Sequence, residues 1–193
     1  MRARLKADLH TRLRTVDGST GEDSAVAAIR ESLEGARTRL TAAKARDEAL
    51  ADFVPARRVM LISRDATMVP VARVWRLGVL LLGTAEGLWA TGSITRSLEP
   101  GRPAYQSESA ERRRSYRAAA FRARFPKGET VNFDARPIEL DPAALAGSGG
   151  PLVLDAGRAL VVWNATLGRE SALPLDEYLD DRVGLLVHPP EGA

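Results

Sequence analysis

Leu5, Leu9, Leu13 and Val16 recur every three or four positions, the spacing that lines one face of a helix. G-S-T-G-E-D at 18–23 interrupts that stripe with two glycines and residues able to cap a new helix. From Asp23 or Ser24 the period resumes through Val26, Ile29, Leu33, Ala36, Leu40, Ala43 and Leu50, with Asp47 breaking it near its end. Two stripes joined by a short loop predict an antiparallel helical hairpin over residues 1–53. Such a hairpin either forms a coiled-coil dimerisation arm or folds onto the chain's own core. Ala36 and Ala43 make a weak coiled-coil seam and favour the core.

Pro55 marks a change of period. R-V-M-L-I-S-R (58–64) reads as a short strand, R-D-A-T (64–67) as a turn, and M-V-P-V-A-R-V-W as a second strand in which Pro70 implies an edge position or a break. L-G-V-L-L-L (77–82), apolar on both faces, predicts a central buried strand, and T-A-E-G (84–87) a hairpin turn into L-W-A-T-G-S-I-T (88–95). After a loop at 99–103 comes an arginine-rich helix, stopped by F-P-K-G-E at 125–129. Residues 129–140 alternate as a strand broken at Pro137, and A-G-S-G-G-P (146–151) is a flexible connection. Residues 152–163 form two strands about the turn D-A-G-R. A last helix carries Leu175, Leu179, Val183 and Leu186 on one face and ends at H-P-P. The sum predicts an α+β fold, a mainly antiparallel sheet with packed helices over 54–193, preceded by the helical hairpin.

Composition narrows the chemistry. The chain has no cysteine, which removes disulfides, zinc–thiolate sites, iron–sulfur clusters and thiol nucleophiles, and fits a reducing cytoplasm. Its longest apolar run is a strand's length, against the ~20 residues of a membrane helix. The first residues are basic but lack an apolar h-region and a small-residue cleavage site, so the chain is expected to be soluble, unexported and cytoplasmic.

Charge is unevenly spread. Residues 1–53 carry 10 Lys+Arg against 9 Asp+Glu, residues 54–140 carry 15 against 8, and residues 141–193 carry 3 against 8. A basic middle beside an acidic tail can neutralise itself on folding, so nucleic acid is not the expected partner.

The basic excess concentrates in E-R-R-R-S-Y-R-A-A-A-F-R-A-R-F, residues 111–125, with six arginines. At about 100° per residue, Arg113, Arg114 and Arg124 fall within about 60° of Arg117, and Phe121 and Phe125 land beside them. Arginines next to aromatics can stack and present guanidinium forks to phosphates or carboxylates. Alternatively, their stems lie along the phenylalanines while their heads pair with acids, for which Asp176, Glu177, Asp180 and Asp181 are candidates.

Familiar catalytic arrangements are missing. His10 and His188 are the only histidines, and no G-x-S-x-G elbow accompanies either. His188 reads as a cation at a helix end. Asp176 with Asp180, and Glu177 with Asp181, stand one helical turn apart, a spacing that can hold Mg²⁺ but more often meets solvent or arginine. A-G-S-G-G-P precedes a strand, whereas a phosphate-cradling loop follows one, and the required lysine is absent. No metal and no cofactor is expected.

V-P-V-A-R-V-W-R-L-G-V-L-L-L (69–82), A-T-G (90–92), E-S-A-E-R-R-R (108–114) and L-P-L-D-E-Y-L-D-D-R-V-G-L-L-V-H-P-P (173–190) resemble a family of small uncharacterised actinobacterial proteins, some labelled glutaminase. The resemblance runs from about residue 58 to the end and implies an amide hydrolase. None of Lys6, Lys44 and Lys127 follows a serine by three residues, as an S-x-x-K glutaminase needs. G-S-G-G (147–150) holds one serine where an amidase signature has a pair. The opening M-R-A-R-L-K-A-D-L-H is similar, as far as Arg14, to the helical domain related to a tRNA-dependent amidotransferase subunit.

The expectation is a protein that acts through contacts, with a second copy or a protein partner, rather than through catalysis. The alternative is a glutaminase-like amide hydrolase or a binder of an anionic small molecule through the 112–124 arginine helix, with Arg113, Arg114, Arg117 and Arg124 as anion ligands. Nucleic-acid binding by residues 102–124 ranks below both.

Overall fold

The computed structural model describes residues 2–59, 62–99 and 107–189, with side chains from residue 21 onward other than those of 59, 62 and 63. The loop expected at 99–103 lies outside these residues past Glu99. So do Arg102, Pro190 and the side chains of His10, Leu5, Leu9, Leu13 and Val16. The fold is α+β, with a mostly antiparallel mixed sheet of seven strand segments, a three-stranded sheet, a two-stranded ribbon and four helices among the described residues. The chain divides into two compact units, Lys44–Pro137 and, from its two ends, Met1–Ala43 with Ile138–Ala193.

The unit built from the chain ends starts with one helix, α1 (Arg2–Ala42), where a hairpin was expected. Gly18 and Gly21 weaken the helix by about 1 kcal/mol each relative to alanine. The break at 18–23 contains no proline, however, and Gly21 faces open space, so nothing stops the backbone hydrogen bonds from continuing. The helix ends at Ala42, not near residue 53, and Lys44 turns the chain with φ 51°. Val26, Ile29, Leu33, Ala36 and Leu40 are buried, and α1 packs on α4 (Leu175–Val187), α3 (Pro142–Ala146) and β11 (Arg158–Val162). The second stripe therefore folds onto the chain itself.

From α4, Leu175, Tyr178, Leu179 and Val183 are buried; Leu186, expected on the same face, is half-buried. Strands β10 (Leu152–Asp155), β11 and β12 (Ala172–Pro174) form the small antiparallel sheet, with β10 and β11 paired around D-A-G-R as the pattern predicts. Helix α3 was not expected. Asp141 caps it by accepting from the Ala144 N–H at 3.0 Å, and Pro142 occupies its first turn.

The Lys44–Pro137 unit is built on β1 (Glu48–Val54), β4 (Thr67–Leu77), β5 (Leu80–Gly83), β6 (Leu88–Ala90), β7 (Ser93–Arg96), β8 (Thr130–Phe133) and β9 (Arg136–Pro137), in the order β7-β8-β1-β4-β5-β6-β9. Only β1 and β8 run parallel. Leu50, assigned to the helical stripe, lies in β1. The expected strand at 58–64 is a ribbon of β2 (Arg57–Val59) and β3 (Ile62–Arg64). Pro70 sits in β4 at a register shift against β1, on a stretch where β5 does not pair, so its missing N–H breaks no ladder. L-G-V-L-L-L is not one strand. Gly78, at φ 60°, turns the chain between Leu77 and Leu80, which face each other across β4 and β5.

Residues 88–95 likewise divide into β6 and β7, with β7 at one end of the sheet order and β6 next to the other end although two residues separate them. The ladders explain this. Trp89 faces Pro137 and Ala90 faces Arg136; past a bend, Ser93 faces Phe133 in the same register. β6 with β7 and β8 with β9 are thus two bent strands, and five strands close into a ring through the parallel β1–β8 pair. At the bend, a Cβ on Gly92 would lie 2.2 Å from the Asp134 carbonyl oxygen, so only glycine fits. One face of the sheet, with Ala49, Ala51, Met68, Val131 and Phe133, packs on α2 (Glu108–Arg122) through Ala119 and Ala120. Leu50, Val74 and Leu81 cluster with Ala72, Trp89 and Ala135.

Candidate functional site

Helix α2 carries Glu108 and Glu111 in its first turn, where acids complement the helix dipole. Those acids also pair with arginines one turn on. Arg112 donates to Glu108 at 3.2 Å, and Arg114 donates through Nε and Nη2 to the two Glu111 oxygens at 3.1 and 3.0 Å. Near the other end, Arg122 Nε donates to the Ala66 carbonyl at 2.8 Å and ties the helix to the turn that leads into β4. Tyr116 fixes the helix's rotation: its ring meets Phe53 edge-on at 5.0 Å and Phe133 at 4.7 Å.

That rotation brings Arg113 and Arg117 to a recess of about 410 Å³ beside β7. Neither arginine forms an ion pair or hydrogen bond with a described residue. Across the recess, Arg96, Thr130 and Glu48 stand in one row over β7, β8 and β1, because Arg96 faces Thr130 and the parallel register sets Thr130 beside Glu48. Thr95, Ile94, Leu98 and Tyr116 complete the lining. Among the described residues, three arginines, two threonines and one glutamate therefore line one concavity.

Glu48 is held from behind. Asn132, fully buried, donates from Nδ2 to Glu48 Oε2 at 2.8 Å and to the Ala49 carbonyl at 3.1 Å. Its Oδ1 accepts from Arg76 Nη2, and Arg76 Nε lies 3.6 Å from the same Glu48 oxygen. At that distance Arg76 Nε is an electrostatic neighbour and not a donor, and this buried atom has no hydrogen-bond partner among the described residues. Glu48 Oε1 accepts no hydrogen bond from a described residue.

A separate clamp frames the same strands. Arg73 of β4 donates to both Asp47 carboxylate oxygens at 3.1 and 2.8 Å, and to Glu129. The Arg73 hydrogen bonds hold the Asp47 carboxyl below its ordinary value against a smaller opposing effect of burial. Asp47 likewise raises the Arg73 guanidinium above its usual range.

Of the four arginines proposed from the sequence, the structure brings Arg113 and Arg117 together. Arg114 pairs with Glu111 and does not line the recess. Arg124 is not on the helix: α2 ends at Arg122, and Arg124 turns the chain with φ 64°. Phe125, expected beside the arginines, packs into the α2 core, and Phe121 is exposed. Asp176, Asp180 and Asp181 of the last helix pair within their own unit, and Glu177 pairs with no described residue. Asp176 accepts from Ser32 at 2.5 Å, Asp180 pairs with Arg39, and Asp181 lies 3.3 Å from Arg182. His188 ends α4, its backbone N–H donating to the Gly184 carbonyl at 2.8 Å. Ser148 of G-S-G-G accepts from the Gly150 N–H at 2.9 Å, a local turn.

Arg96, Thr130 and Glu48 escaped the sequence reading because strand register alone makes them neighbours. Comparison of the chain with protein-family models, curated proteins and solved structures finds no match.

Proposed function

We propose that the chain is a binding protein for a small anionic molecule, held in the recess between α2 and β7. One observation carries this reading. Arg113 and Arg117 line a concavity and form no ion pair with any described acid, while Arg112 and Arg114, on the same helix, pair with Glu108 and Glu111. Guanidiniums crowded in this way repel one another, and an anion relieves that repulsion through charge-assisted hydrogen bonds. A volume of about 410 Å³ fits a small ligand's carboxylate or phosphate with part of its body. Thr95, Thr130 and Tyr116 add hydroxyls that can orient it.

This reading supports binding ahead of hydrolysis. Glutaminase-like cleavage would need one of those hydroxyls as nucleophile and Glu48 as its base, and one Glu48 oxygen is already engaged by Asn132. Action through protein contacts remains the competing proposal, to which the exposed Val69, Val71 and Ile94 would contribute.

The test is calorimetric titration with inorganic phosphate and simple carboxylates, on the wild type and on Arg113→Ala and Arg117→Ala. Saturable binding that weakens about tenfold or more in each variant supports the reading, since a hydrogen bond to a charged group is worth about 1.5–3 kcal/mol. Equal titration of wild type and variants would remove it. A steep salt dependence seen only with nucleic acids would transfer the site to phosphodiester backbones.

A further inference from the structure

Resting on that anion site, we propose that the ligand is dipolar: a carboxylate or phosphate held by Arg113 and Arg117 and, on the same molecule, an ammonium group held by Glu48. The recess is not uniformly cationic. The one acidic residue among its described lining is Glu48, at the β1 end of the row Arg96–Thr130–Glu48, and α2 supplies Arg113 and Arg117.

The Glu48 carboxylate is set up for a partner. Oε2 accepts from the buried Asn132, which is held in turn by the Ala49 carbonyl and by Arg76, so the side chain is fixed without help from a ligand. Oε1 remains without a donor among the described residues, on a side chain only 24% exposed. A carboxylate with one oxygen committed and one spare, in a concavity, is a preformed acceptor for an N–H-bearing cation. Arg76 Nε, 3.6 Å from Oε2, offsets part of the Glu48 charge, yet toward a plain dianion the carboxylate would still be a less favourable neighbour than toward an ammonium group. Its presence with three arginines therefore selects a molecule carrying both signs of charge. Both groups must be connected by a chain short enough for about 410 Å³.

Matched pairs of compounds test this: propionate with β-alanine, butyrate with γ-aminobutyrate, and valerate with δ-aminovalerate. Each is titrated into the full-length protein while backbone amide and arginine Nε–H resonances are followed. The expected result is that, at one chain length, the amino compound binds about tenfold or more tightly than its plain carboxylate. In Glu48→Gln the two members of that pair should bind within about twofold of each other, with the plain carboxylate still bound. Equal affinities within every wild-type pair would overturn the dipolar ligand and leave the anion site standing. An amino advantage that survives Glu48→Gln would overturn the role of Glu48. Failure of every compound, and of phosphate, to bind would bring down the anion site and this inference together. The wild-type comparison needs no variant, so it decides even where Glu48→Gln is poorly folded.

Discussion

Adjacent arginines on one helix differ in their partners. Arg114 forms a bidentate i,i+3 pair with Glu111 on the surface, and such helical pairs contribute about 0.3–0.5 kcal/mol. Arg114→Ala should leave anion affinity within about twofold of wild type, whereas Arg117→Ala should lose it with little change in the urea midpoint. The comparison separates a binding arginine from a structural one. Asn132 sits at the opposite extreme, fully buried and bonded to Glu48, Ala49 and Arg76. Asn132→Leu would leave those groups without their donor and acceptor, and should cost about 2–4 kcal/mol by denaturant unfolding. Arg124 shows how far helical periodicity can be trusted. A 100° step places it beside Arg117, but the helix ends two residues earlier and Arg124 adopts the left-handed conformation usual for glycine there. Arg124→Gly should accordingly stabilise the protein, by about 0.5–1 kcal/mol.

At the scale of elements, local signals were readable where one stretch of chain contains its own reason. The D-A-G-R hairpin and the buried positions Val26, Ile29, Leu33, Ala36 and Leu40 of α1 and Leu175, Leu179 and Val183 of α4 lie where their spacing put them, whereas Ala43 is exposed beyond the helix end and Leu50 belongs to β1. L-G-V-L-L-L misled because Leu77, Leu80, Leu81 and Leu82 are all buried, which conceals the turn at Gly78–Val79 from any reading of periodicity. A-T-G-S misled because the bend at Gly92 answers to the carbonyl of Asp134, which is distant in sequence. Gly92→Ala should therefore destabilise the sheet by more than about 2 kcal/mol, although alanine ordinarily suits a strand better than glycine; thermal unfolding checks this. The Arg73 clamp adds a pH dependence. Because the folded-state Asp47 carboxyl lies below its ordinary value of 3.8, its contribution is present above that value and is lost as pH falls through and below it. Both partners are well exposed, so the loss should be at most about 1 kcal/mol. Urea midpoints at about pH 5 and about pH 3 should show that extra loss in the wild type and not in Arg73→Gln.

The whole molecule concentrates its charge. Lys44–Pro137 carries 17 Lys+Arg against 10 Asp+Glu, while the unit built from the chain ends carries 11 against 15. The uneven charge was visible in the sequence, but the recess was not, because it needs β7, β8, β1 and α2 brought together by a closed order of strands. On the proposed reading, a basic unit around the recess would draw anions from a distance, and that attraction would be screened within about 8 Å at physiological salt. The measurement that bears most directly on this account is the phosphate and carboxylate titration of the wild type beside Arg113→Ala and Arg117→Ala. The account predicts saturable binding by the wild type that weakens as salt rises and falls about tenfold or more in either variant. Binding that is absent from the wild type, or unchanged in both variants, would contradict it.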